Sequence, residues 1–311
     1  MELSMLLAQQ IVVLFLMMIV GYVIVKIDLL KTEDSDTLAK LVVYIFSPCV
    51  IFHSFTNASF NKETFSGFAV AILGAVISFV LLLVTTKICE VVFHIDHIEQ
   101  ASLTYSNCGN LIIPLVSAVL GPEWVFYSSA YLIVSNILFW SHGISVISEE
   151  KQVHVMKMIK NPNIIAIIAG LIVFFTHLRL PLIVDNFTTS FGNMIGPASM
   201  LNIGILFAGM NLRLAFSNKR AYLIGFGRLI ATPLIFIAII HVCGIMKLHS
   251  LAPQILLITL LAASAPCAVN IAQVAQLYHK NSVYASSINV ITVIFCLITM
   301  PFMVAIYQMV L

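Results

Sequence analysis

Asn107, Gly109, Asn110 and Pro114 lie within one eight-residue window in the middle of an apolar stretch. Ser264, Pro266 and Asn270 interrupt a second apolar stretch in the same way. Carboxamides donate and accept hydrogen bonds without carrying charge, and glycine frees the backbone. Proline removes a backbone donor and clashes with the preceding turn, so each site predicts a kinked or unwound helix. The chemistry on offer is recognition. Bare N–H groups at the start of a half-helix suit a carboxylate, while unwound carbonyls suit a cation. The plainer alternative is that the prolines only kink helices and the asparagines bond neighbouring ones. Two matched breaks favour the binding reading. With the prolines paired, Asn110 matches Ala262 and Asn270 matches Ala118, so the expected site is asymmetric.

Arg228 is the one lysine or arginine well inside an apolar span. Charge there is costly and marks a functional candidate. It stands eight residues past Arg220, roughly 12 Å deep at the helical rise. Snorkelling, capping the carbonyls of a half-helix, and serving as a charge partner for a bound anion all stay open. No Asp or Glu sits at mid-span, which argues against a proton or sodium site built on a buried carboxylate. Asn136, beside Ser135, is read either as lining the same cavity or as a helix-to-helix hydrogen bond. Asn202 and Asn289 are further amides on apolar spans. His53, His142 and His241 share no spacing and read as polar contacts near span ends. The stretch His94-Ile95-Asp96-His97 reads as a solvated loop. There is no metal-ligand spacing, nucleophile elbow or phosphate-binding glycine loop. No catalytic residue, no metal and no cofactor is expected, and the reading is not an enzyme.

The elements that must position these residues are membrane spans. The chain is 61% hydrophobic and 9% charged, with mean hydropathy +1.07, far from the roughly 25% charged residues of soluble domains. A formal net charge of +2 with no basic run excludes nucleic-acid binding. The six cysteines, none in a C-x-x-C pair, read as free buried thiols. A span needs about 20 apolar residues. Ten candidates run over residues 5–25, 37–57, 65–88, 101–120, 124–147, 160–177, 189–211, 220–245, 252–276 and 283–308. The first lacks a basic leader and a cleavage site, so it reads as a retained span.

Basic residues set the orientation. Lys26, Lys31 and Lys40, then Lys87, then Lys151, Lys157 and Lys160, then Arg213, Lys219 and Arg220, then Lys280 occupy alternate connections. Only Lys62, Arg179 and Lys247 occupy the others. Eleven against three puts both termini outside the cell and the connection between spans 5 and 6 in the cytoplasm. Five spans per half is an odd number, so the second half enters the membrane in the opposite sense. Pro48 and Pro197 stand 149 residues apart, and Pro114 and Pro266 stand 152 apart. The expected fold is an all-α membrane protein of ten transmembrane helices, two inverted five-helix repeats over residues 1–150 and 151–311 in a single membrane domain.

Four stretches then carry a resemblance. They are Tyr44 to Pro48 through Phe55, Asn107 to Pro114, Lys160-Asn161-Pro162-Asn163 through Gly170, and Phe226-Gly227-Arg228 through Pro233 followed by Ala262 through Tyr278. Their order and spacing resemble the auxin efflux carrier family, the PIN-like transporters with bacterial members described as malate or malonate permeases. The resemblance covers nearly the whole chain. It implies a scaffold part and a transport part, with helices 4 and 9 crossing at their prolines around an anion. Asn107, Asn110, Pro114 and Pro266 would belong to that site; Asn270 is the weaker match. The connection between spans 5 and 6 is short, unlike the long regulatory loop of many plant members.

The combined reading is a secondary transporter of small organic anions, mono- or dicarboxylates such as malate or auxin-like acids, working by alternating access in a cell membrane. Asn107, Gly109, Asn110, Asn136 and Asn270 are the candidate substrate contacts, Pro114 and Pro266 keep the crossover open, and Arg228 is the candidate charge partner. An anion channel, or a sensor that binds an acid without moving it, are the rival classes. The partners are the anion and the lipid bilayer. The coupling ion, proton or sodium, stays open, as does a homodimeric assembly.

Overall fold

The structure, a computed structural model, describes residues 2–58, 61–150, 156, 159–176, 178, 180–210 and 212–310. Lys151, Lys157 and Arg179, three of the basic residues that set the expected orientation, lie outside the described residues. The described residues are helical apart from turns, connections and one isolated bridge of extended backbone. Twelve helices frame the site. They are α1 (Glu2–Lys26), α2 (Asp34–Asn57), α3 (Lys62–Phe93), α4 (His97–Thr104), α5 (Cys108–Val119), α6 (Pro122–Ser148), α7 (Pro162–Thr176), α8 (Leu182–Ala208), α9 (Lys219–Val242), α10 (Ala252–Ala263), α11 (Asn270–Leu277) and α12 (Ser282–Val310). A short helix over Leu212–Ser217 precedes α9.

Seven of these, α1, α2, α3, α6, α8, α9 and α12, are long and apolar enough to cross a membrane. α5, α7 and α10 are apolar but shorter. The sequence predicts ten spans of full length, and the difference has two sources. The fourth and ninth segments are each cut into two short helices, α4–α5 and α10–α11, rather than merely kinked. α7 has 15 residues, about 22 Å of helix against roughly 30 Å of hydrocarbon.

Local chemistry sets the helix starts. The Asn61 side chain accepts from the Thr64 N–H to cap α3. Asp96 and Glu99 form a reciprocal capping box on α4. Proline shapes the interiors. Widened π turns run over Val42–Phe46, Cys108–Ile112 and Gly227–Ala231, each ending two residues before Pro48, Pro114 or Pro233. A proline ring collides with the carbonyl four residues earlier. Tyr44, Asn110 and Leu229 occupy that place, and all three lie within the widened turns, where the extra residue per turn moves the carbonyl aside.

Packing sorts the helices into two groups. α1 lies along α8, and α2 packs on α7 and α8. The α1–α8 contact is backbone on backbone. A Cβ at Gly204 would stand 1.9 Å from the Met18 carbonyl oxygen, and one at Gly21 would stand 2.3 Å from that of Leu201. Small residues of this kind let membrane helices approach closely. In the second group α3 packs on α6, α9 and α10, and α12 packs on α9 and α11. The groups meet along α1–α12, α5–α8 and α2–α6. Large apolar side chains such as Val84, Ile88, Ile298 and Phe302 point outward, as a lipid-facing surface requires.

Candidate functional site: two interrupted helices joined at their breaks

The breaks lie at residues 105–107 and 264–269. They meet each other. Ser106 and Cys267 form an antiparallel bridge. The Asn107 N–H donates to the Pro266 carbonyl at 2.9 Å, and the Ala268 N–H donates to the Tyr105 carbonyl at 2.9 Å. Backbone freed from a helix inside a membrane needs partners within the protein, and each break supplies them to the other.

Side chains satisfy the rest. On α12, Asn289 Nδ2 donates to the Cys267 carbonyl at 2.6 Å, and Thr292 Oγ1 accepts from the Cys267 N–H at 3.2 Å. Arg228 is wholly buried. Its Nε donates to the Ala265 carbonyl at 2.8 Å and its Nη1 to the Leu103 carbonyl at 2.5 Å. Of the roles the sequence leaves open for Arg228, the capping of half-helix carbonyls is the one its hydrogen bonds form. The guanidinium holds the last turn of α4 and the residues just past α10 together.

This sorts the helix ends electrically. α4 and α10 run into the crossing with their C-terminal, partially negative ends, and the arginine covers carbonyls of both. α5 and α11 leave the crossing from their N-terminal, partially positive ends, at Cys108 and Asn270. Those two ends carry no guanidinium and no carboxylate cap among the described residues.

The predicted residues fall in different places. Asn107 and Pro266 are bonded to each other, and Arg228 bridges the same two segments. Asn107 is buried, and its Nδ2 has no partner among the described residues. Gly109 and Asn110 are half-buried in the widened first turn of α5. Pro114 is buried and faces Gly196 of α8, where an added Cβ would lie 3.6 Å from its ring. Asn270 is exposed at the head of α11. Asn136 is engaged elsewhere: its Nδ2 donates to the Leu132 carbonyl at 2.9 Å, and its Oδ1 accepts from Asn161 at 3.2 Å. Of its two readings, the interhelical bond is the one formed, between α6 and the start of α7. Sequence reasoning does not find Tyr105, Ser106, Cys267 or Thr292. Thr292 stands three residues past Asn289 on the same helix face, and that pairing is the one signal that could mark the two as anchors.

One hollow borders the crossing, and another opens among the C-terminal ends of α3 and α6 and the start of α4. One, of about 30 Å³, lies between α1, α5, α8 and α12, with Leu111, Met200, Pro266 and Met300 among its walls. The other, of about 500 Å³, lies between α3, α4 and α6 and is lined by Thr86, Gln100, His142 and Glu149 among others. At its edge the Tyr105 hydroxyl hydrogen-bonds His142 Nδ1 at 2.8 Å and donates to the Leu138 carbonyl at 3.1 Å. The same tyrosine contributes its carbonyl to the crossing.

Near the start of α4, Glu99 is buried and accepts from Arg220 Nε at 2.7 Å and Nη2 at 2.8 Å, from the Tyr284 hydroxyl at 2.5 Å and from the Asp96 N–H at 2.7 Å. Burial alone would raise its pKa. Arg220, Tyr284 and the backbone N–H outweigh burial and hold the carboxyl below its ordinary range. Asp96 moves the other way, raised by burial and by the nearby Glu99 charge.

No curated protein matches the chain. A family model described as membrane transport protein, the auxin efflux carrier-like family, matches it over residues 6–157 and 150–304. Those stretches contain both breaks, Arg228 and the α12 anchors, and together they span nearly the whole sequence. With crossed backbone where the two halves of the chain meet and a family match over both halves, the chain belongs to the auxin efflux carrier-like membrane transport protein family.

Proposed function

We propose that the protein is a secondary transporter that carries small organic anions, mono- or dicarboxylates, by alternating access at the crossing. The observation that carries the reading is the reciprocal pair of hydrogen bonds, Asn107 to Pro266 and Ala268 to Tyr105. The antiparallel bridge puts the heads of α5 and α11 on its two sides, each helix starting at the crossing, so in this reading their positive ends converge on a single negative group. In this reading a carboxylate lies at the heads of α5 and α11. It takes the free Nδ2 of Asn107, the Asn110 amide and the N–H groups of the widened turn. Arg228 acts from behind by holding the opposite ends.

The cycle moves α3–α6 and α9–α12 against a frame of α1, α2, α7 and α8, along the seams where the two packing groups meet. The architecture proposed with it is ten spans in two inverted repeats, both termini outside, as the charge asymmetry favours. A thermal-stability screen of the purified protein against short carboxylates, with and without sodium and at two pH values, tests it. A bound acid raises the midpoint by mass action. The expected result is a rise with at least one acid that Asn107→Ala and Asn110→Ala abolish. Identical rises in both variants would place the site elsewhere.

A further inference from the structure

The hollow that borders the crossing bears on which acids fit there. It lies on the seam between the two packing groups. α1 and α8 supply Leu14 and Met200, α5 and α12 supply Leu111, Val293 and Met300, and Pro266 of the second break completes the wall. No side chain lining it carries an oxygen, a nitrogen or a charge. Backbone ties it to the residues that would hold the carboxylate. Leu111 follows Asn110 in the widened turn of α5 and donates its N–H to the Asn107 carbonyl at 3.2 Å. Pro266 carries the carbonyl that accepts from the Asn107 N–H at 2.9 Å. A solute held by Asn107 and Asn110 at the head of α5 therefore has an apolar hollow beside it.

Size and chemistry choose the occupant. A hollow walled by Leu, Ile, Met and Phe stays dry and takes carbon rather than water. Its volume is about 30 Å³. A water-sized group needs about 10–15 Å³, so there is room for about two or three carbons. A ring or a long chain is too large. The second carboxylate of a dicarboxylate would lose its hydration there and meet no donor. We propose that the carried anions are short-chain aliphatic monocarboxylates of the propionate and butyrate class, with the carboxylate at the heads of α5 and α11 and the alkyl chain in this hollow. The proposal rests on the carboxylate reading above and narrows it. Since α1 and α8 wall one side of the hollow and α5 and α12 the other, the alkyl chain touches both groups that move against each other.

The test follows the thermal midpoint of the whole purified protein against the concentration of acetate, propionate, butyrate, hexanoate and succinate, as sodium salts at constant ionic strength. Each buried methylene is worth about 0.8 kcal/mol, about fourfold in affinity. The half-saturating concentration is expected to fall about that much from acetate to propionate and again to butyrate, then to rise at least tenfold at hexanoate. Succinate, which is butyrate with a carboxylate in place of its methyl, is expected to bind at least tenfold more weakly than butyrate. Two wall variants leave Asn107 and Asn110 untouched. Val293→Ile adds one methylene to the wall and is expected to move the optimum from butyrate to propionate. Leu297→Ala, at a half-buried wall position, is expected to improve hexanoate at least threefold. Half-saturation independent of chain length, succinate binding as tightly as butyrate, or an optimum that neither variant moves overturns the proposal. In those cases midpoint rises that still vanish in Asn107→Ala would leave the carboxylate site standing. No rise with any of the acids would remove both.

Discussion

The N–H of Asn107 donates to the carbonyl of Pro266 at 2.9 Å, so the break in the first half of the chain is held directly by the break in the second. Neither break is self-sufficient. Each leaves groups that a continuous helix would have satisfied, and the partners come from the other break, from Arg228 and from α12. The crossing is thus one cooperative unit whose parts lie far apart in sequence.

Arg228→Lys tests that unit. A guanidinium spans the Ala265 and Leu103 carbonyls with two donors in a fixed fork, which a single ammonium does not reproduce. Loss of a charged hydrogen bond inside the protein costs about 1.5–3 kcal/mol. Arg228→Lys is expected to lower the thermal midpoint of the detergent-solubilised protein by several degrees, and Arg228→Met to lower it further. A midpoint unchanged in both would mean that the two carbonyls do not need the cap.

Asn289→Ala removes the donor to the Cys267 carbonyl. A buried acceptor left unsatisfied costs about 1–3 kcal/mol. The expected result is a destabilised protein in which α12 and the second break exchange amide hydrogens faster, measured by hydrogen–deuterium exchange. Asn289→Ala with wild-type exchange at Cys267 and Ala268 would contradict the anchoring role.

Glycine positions separate packing from conformation. At Gly204→Ala the new methyl carbon would meet the Met18 carbonyl oxygen at 1.9 Å, so α1 and α8 must part. Overpacking costs about 1–3 kcal/mol, and a lower midpoint is expected. At Gly109→Ala the nearest atom is a Leu132 methyl at 3.8 Å, so folding is expected to survive. Thermal midpoints of the two variants decide this; equal losses would show that the α1–α8 contact is not tight.

Glu99 sets a pH dependence. Burial works to raise its folded pKa, but Arg220, Tyr284 and the Asp96 N–H prevail and lower it. A lowered pKa contributes stability that is present above the ordinary carboxylate value of 4.5 and is lost as pH falls through the folded value. Asp96, raised by burial, acts in the opposite sense, gaining stability as pH falls through its folded value. Stability of the wild type measured from pH 7 to pH 3 is expected to fall more steeply than that of Glu99→Gln. Parallel curves would show that Glu99 does not set the acid sensitivity. Because the Arg220 side chain is half exposed, the loss in Glu99→Gln is expected near the lower end of about 1–3 kcal/mol.

Legibility in the sequence follows the kind of signal each residue sends. Pro114 and Pro266 draw attention to the two broken segments, but proline alone does not decide the break: Pro48, Pro233 and Pro301 lie in spans that run on as helix, and Pro114 itself stands within α5. The pairing of Ser106 with Cys267 sends nothing, since the contact runs through backbone groups and side-chain identity does not encode it. Arg228 is conspicuous as a mid-span charge, but its two carbonyl partners lie on segments far away in the chain, so no spacing rule can choose among its roles. Asn136 stands out as an amide in an apolar span, and its partner Asn161 lies 25 residues on in another helix's approach. The full cutting of the fourth and ninth segments is beyond hydropathy, which sums residues and does not register a change to extended backbone at Tyr105 and Ser106.

The proposed function comes down to one event: the crossed breaks hold a carboxylate that the protein then moves. Counterflow shows that event itself, with a radiolabelled acid, chosen by the stability screen, entering proteoliposomes loaded with the unlabelled acid. Saturable, transient accumulation is expected, falling at least tenfold in Asn107→Ala and Asn110→Ala while both variants remain folded. Saturable binding with no accumulation in the wild type, or full accumulation in both variants, would refute carriage at the crossing.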